Sequence, residues 1–144
     1  MAATLTGRVC GGHFNAAITL AVYLTEAKWT RNIGIAILII IIDLLGAFAA
    51  MGISIAMLGS NKIFKLKPPD DLNGDKSVAG ILFVETLFTF ILVSTVLFVK
   101  YRKVSATTDG MLSNLTCAFA VFVCVKMAAP ISGAGLNPTF GLAL

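Results

Sequence analysis

The chain has 144 residues, 58% of them hydrophobic and 12% charged, with a mean hydropathy of +0.93. A soluble domain has no use for so much apolar surface, so the composition excludes a soluble globular protein and implies one integral membrane domain over 1–144. The net charge of +4 is read as Lys and Arg in membrane loops; with no basic cluster interleaved with aromatics, nucleic acid is not an expected partner.

The opening "MAATLTGRVCGG" has no apolar core of the kind a cleavable signal peptide needs, so insertion is expected to be directed by later segments. The stretch "CGGHFNAAITLAVYL", residues 10–24, begins as a polar turn and continues as a short apolar helix from Asn15. That helix of about ten residues is half of what a membrane crossing requires. Three long apolar segments follow. Residues 32–60 carry Asp43 as their only charge, residues 77–99 only Glu85, and residues 110–129 only Lys126. Each is predicted to be a transmembrane helix, the third stopping before Pro130.

The first two spans are joined by "NKIFKLKPPDDLNGDK", which reads as a solvent-exposed loop, and the second and third by "KYRKVSATTDG". Lys28 and Arg31 precede the first span and Lys100, Arg102 and Lys103 follow the second; two crossings put both clusters on one face. The positive-inside rule assigns that face to the cytoplasm or its equivalent in an organelle. The membrane itself, whether plasma or organellar and including the mitochondrial inner membrane, is not specified. The cysteines, Cys10, Cys117 and Cys124, have neither disulfide nor metal spacing and are read as small packing residues. A sequon at Asn114 falls inside the third span and is read as a chance match.

The end of the chain, "SGAGLNPTFGLAL", echoes its beginning. With Asn137 laid over Asn15, Gly133 falls on Gly11, Leu142 on Leu20 and Ala143 on Ala21. Three crossings separate the two copies, so they enter from opposite faces, which is the arrangement of an inverted repeat. Glycine-rich backbone can dip into a membrane where it lines a cavity or is covered by protein. Each Asn is then expected to cap a half-helix, 10–24 and 131–144, that returns to its own side. A half-helix of ten residues rises about 15 Å, so both positive N-termini would meet near the midplane and repel cations. The capping oxygen would serve backbone N–H groups, leaving the amide NH2 free to donate to a passing solute.

These residues resemble the major intrinsic protein family, the aquaporins and aquaglyceroporins, whose two Asn-Pro-Ala signatures sit on opposed re-entrant half-helices. Here they are "GGHFNAA" (Gly11 to Ala17) and "GAGLNPT" (Gly133 to Thr139). "FVETLFTFILV" resembles the family's fourth helix with its glutamate, Glu85, and "IDLLGAFAA" its third, with Asp43 for a usual glutamine. The resemblance implies an all-α membrane fold: a partial aquaporin-like bundle of three transmembrane helices and two re-entrant half-helices. It implies Asn15, Ala16, Ala17, Asn137, Pro138 and Thr139 as the pore signatures. Val125, Ala134 and Phe140 become the selectivity-filter candidates, and Glu85 and Asp43 the supports of the loops.

Three departures stand out against that pattern. Ala16 occupies a proline position, Phe140 takes the place of the filter arginine, and the family's first, second and sixth helices are not represented. Three expectations follow: the chain is part of a longer product, or other membrane helices or subunits complete the bundle in a homotetramer or a larger hetero-complex within the lipid bilayer, or it is a channel relic used as a structural subunit.

Several residues carry a second reading. Asp43 is a candidate proton-relay acid or a buried partner for a loop donor. His13 is either a lining or gating group or a hydrogen-bonded loop residue, and Lys126 is expected to snorkel. Small residues from Gly46 to Ala56 would permit close helix packing. The expected function is a channel subunit passing water or small neutral solutes; the rivals are a non-conducting structural subunit and a secondary transporter acting through Asp43 or Glu85. No catalytic spacing, cofactor motif or metal-ligand cluster is present in the sequence, so neither an enzyme nor a cofactor or metal requirement is expected.

Overall fold

A computed structural model describes residues 12–26, 29–59, 78–100 and 109–143. The start of the first glycine turn, the Lys/Asp-rich loop and most of the short basic loop lie outside the described residues, and with them the orientation argument.

Among the described residues the structure is all-α. Helix α1 spans Ala16–Glu26, α2 Trp29–Leu58, α3 Val78–Lys100, α4 Gly110–Ser132 and α5 Pro138–Ala143. Three of these are long and apolar enough to cross a membrane: Asn32–Leu58, Val78–Lys100 and Gly110–Ser132. At about 1.5 Å per residue each exceeds the roughly 30 Å of hydrocarbon. α1 rises about half that depth. The chain is thus a multi-pass integral membrane protein, its long helices exposing Leu, Ile and Phe side chains such as Ile42, Phe83 and Phe119.

α4 starts on an Asp109 cap, whose carboxylate accepts the Met111 N–H at 2.8 Å. It does not stop before Pro130. The helix continues through the proline to Ser132 and ends at Gly133, whose φ of 89° is left-handed and whose N–H returns to the Ala129 carbonyl. A proline in the last turn removes one hydrogen bond, whereas the left-handed glycine cap reverses the chain, and the latter sets the boundary.

Among the described residues α3 and α4 make the most extensive helix–helix contact. One face of α4 carries Ser113, Cys117, Ala120, Cys124, Ala128 and Ser132, spaced three or four apart, all buried or partly buried. Small side chains let two helices approach closely, which replaces the hydrophobic drive that is missing in lipid. Leu92 and Val96 of α3 fill the seam, together with Ile18 of α1 and Ala134 and Leu136 of the segment between α4 and α5. Cys117 and Cys124 are free thiols in this packing. Gly46 and Gly52 of α2 are not used in this way among the described residues: a Cβ added at either would meet nothing within 4 Å.

α1 is tied to the start of α2 by the Asn32 side chain, which donates to Glu26 at 2.9 Å. α1 also packs on α3 and α5, and α5 packs on α2, so both short helices lie against the long ones.

Candidate functional site

The two short helices begin side by side. Asn15 accepts the Ala17 N–H on Oδ1 at 2.9 Å, and Asn137 accepts the Thr139 N–H on Oδ1 at 3.1 Å. These are the N-caps that orphan donors at a helix start require. Each amide then reaches across to the other loop. Asn15 Nδ2 donates to the Leu136 carbonyl at 2.9 Å, and Asn137 Nδ2 donates to the Phe14 carbonyl, also at 2.9 Å. Contrary to the expectation from sequence, the amide NH2 groups are therefore not wholly free. One N–H of each is committed to the opposite loop because the accepting carbonyl precedes the opposite Asn and is turned toward it.

That turn is made by backbone that L-residues seldom adopt. Phe14 has φ of 47° and Leu136 φ of 45°; two residues earlier, Gly12 has 62° and Ala134 57°. The two loops repeat each other at an offset of 122 residues, in conformation as well as in hydrogen bonding. Left-handed backbone at Phe14, Ala134 and Leu136 is costly and persists where surrounding contacts over-determine it.

Those contacts are found on both sides. Glu85 of α3 accepts the Gly135 N–H on one oxygen at 2.9 Å and the Leu136 N–H on the other at 2.8 Å. The Ser132 hydroxyl donates to the same carboxylate and accepts the Ala134 N–H at 3.2 Å. Three donors from the end of α4 and the loop after it thus converge on one side chain within a span, where an unpartnered acid would be expensive. In the first loop, His13 Nδ1 lies 3.2 Å from Thr19 Oγ1. Thr19 also hydrogen-bonds the Asn15 carbonyl through its own N–H at 3.0 Å. Asp43 keeps one buried oxygen, Oδ2, without a hydrogen-bond partner, so it is not seen to hold a loop donor through that atom.

An open cleft of about 590 Å³ runs between α3 and the second loop, lined by Glu85, Thr86, Thr89, Phe90 and Val93 on one side and by Ser132, Gly135 to Pro138 and Gly141 on the other. Asn137, Pro138 and Glu85 border it; Val125, Ala134 and Phe140 do not. The Ala134 side chain is buried at 7% exposure in the helix seam, while Val125 and Phe140 are 36% and 41% exposed. Lys126 is exposed on α4. Among the described residues no group of His, Cys, Asp and Glu side chains could hold a metal ion.

Sequence reasoning does not single out Phe14, Leu136, Thr19 or Ser132. The first two act through backbone carbonyls that any residue possesses; the visible signal is their position immediately before each Asn. Ser132 sits three residues from the Gly135 whose N–H shares its acid, a spacing that could have marked it.

A sequence model of the family described as "Major intrinsic protein" matches residues 1–144. Probable aquaporin PIP2-7 of Oryza sativa subsp. japonica is 35% identical over 147 residues, covering 95% of this chain and 47% of that protein. Probable aquaporin PIP-type 7a of Pisum sativum is 31% identical, with 95% and 47% covered. Aquaporin PIP2-1 of Arabidopsis thaliana is 32% identical, with 96% and 49% covered. The chain spans about half the length of the curated relatives it matches. No solved structure matches it.

Proposed function

The chain belongs to the major intrinsic protein family, and on that premise we propose that it is a channel subunit for passive movement of water or small neutral solutes. The observation that carries this reading is the reciprocal hydrogen bonding of Asn15 and Asn137, which brings the starts of two opposed half-helices together. The positive ends of their dipoles would disfavour cations, and the second N–H of each Asn amide would donate to a solute oxygen. Ala16, Ala17, Pro138 and Thr139 complete the two signatures, and Glu85 and Ser132 hold the second loop in place.

Val125 and Phe140 offer apolar side chains to the filter, and Ala134, whose methyl is buried, offers backbone. Such a constriction has no fixed cation and discriminates by size and by dewetting. Additional helices or subunits close the pore around the junction of the two half-helices, in a homotetramer or a larger assembly. The names of the relatives, aquaporins throughout those compared, favour a channel over a non-conducting structural subunit.

Light-scattering records of proteoliposome shrinkage test the proposal. Vesicles carrying the protein are expected to shrink faster than empty ones under an osmotic or solute gradient. Empty-vesicle rates, with insertion and assembly verified, would overturn it.

A further inference from the structure

Where the two half-helices meet, one donor has no counterpart in the repeat. The offset of 122 residues pairs Ala16 with Pro138 and Ala17 with Thr139. Proline at the first helical position brings no N–H; alanine there brings one, and the Asn15 cap serves the Ala17 N–H instead. The Ala16 N–H finds its acceptor in the other half of the molecule, on Thr139 Oγ1 at 3.3 Å. The half that carries the extra donor thus faces a hydroxyl, and the half that lacks it carries Ala17, which has none.

The environment of Thr139 explains why its hydroxyl is used across the junction. Thr19, Thr25, Thr95 and Thr116 each donate to the carbonyl four residues earlier, at 2.7 to 3.2 Å. Thr139 is the second residue of α5, and four residues earlier stands Gly135, outside the helix. Its hydroxyl has no helical carbonyl below it, and at 4% exposure it has little access to solvent.

We propose that Ala16 and Thr139 form a latch between the two half-helices, in which the hydroxyl satisfies the N–H that alanine introduces at the start of α1. Thr139 is a positioning residue, acting on the junction through the Ala16 backbone. Its bearing on conduction rests on the channel reading above; the latch itself does not.

The test is a double-mutant cycle on the full native chain: Thr139→Val, which keeps shape and removes the acceptor, Thr139→Ser, which keeps the acceptor, Ala16→Pro, which removes the donor, and Ala16→Pro with Thr139→Val. Thr139→Val is expected to lower the folding equilibrium constant by roughly 2- to 10-fold and to speed amide hydrogen exchange at Ala16. Thr139→Ser retains native behaviour in both. With Ala16→Pro present, Thr139→Val costs little, because the orphaned donor is gone. Equal cost of Thr139→Val in both backgrounds, or Thr139→Ser behaving as Thr139→Val, would overturn the latch. If Ala16→Pro does not fold, exchange at Ala16 in the Val and Ser variants decides: faster in Val alone supports the latch, the same in both refutes it. A native chain that conducts nothing while the coupling persists would remove the channel reading and leave the latch standing.

Discussion

Asn15 and Asn137 stand in a reciprocal relationship: each caps its own helix and donates at 2.9 Å to the carbonyl just before the other. Neither loop is therefore held by its own segment alone. The left-handed residues Phe14 and Leu136 supply the accepting carbonyls, so the strain in each loop is stabilised by the amide of the opposite one.

Replacing Asn15 with alanine is expected to cost about 2–4 kcal/mol, the sum of a lost cap and a carbonyl left unpaired. Asn15 is buried at 6% exposure, whereas Asn137 is only partly buried, so Asn137→Ala is expected to cost less. The double variant should cost less than the sum of the two, because they share one network. Unfolding followed in detergent measures all three.

Glu85→Gln tests the anchoring of the second loop. A glutamine keeps one acceptor oxygen and presents NH2 where the carboxylate now receives the Gly135 or Leu136 N–H. The expected outcome is a loss of about 1.5–3 kcal/mol and faster amide exchange across residues 133–137, with α1 less affected. Peptide-resolved hydrogen exchange reads both.

The spans were legible because three long stretches each carry a single charge, and lipid tolerates little else. The pairing of the half-helices was legible because Asn, small residues and an apolar run recur with an odd number of crossings between them. The rest depended on geometry that residue types do not display. Pro130 looked like a stop, but a left-handed Gly133 three residues on sets the end of α4. Among the described residues the close-packed stripe runs through Cys124 and Ala128, against which α3 lies, while Gly46 and Gly52 face open space. Ala134 carries a filter assignment by alignment, yet its side chain turns into the helix seam because its φ is 57°. The cross-loop donation by the two Asn amides required the turned carbonyls of Phe14 and Leu136, which the sequence does not mark.

The account is tested most directly by the osmotic permeability of proteoliposomes bearing the full native chain beside vesicles bearing Asn15→Asp at equal density. The aspartate keeps the cap oxygen, removes the donor to Leu136 and sets a negative charge at the junction. Fast shrinkage with the native chain, reduced toward the empty-vesicle rate by Asn15→Asp, is the predicted result. Native and variant vesicles both shrinking at the rate of empty ones, with correct insertion and assembly shown for each, would contradict it.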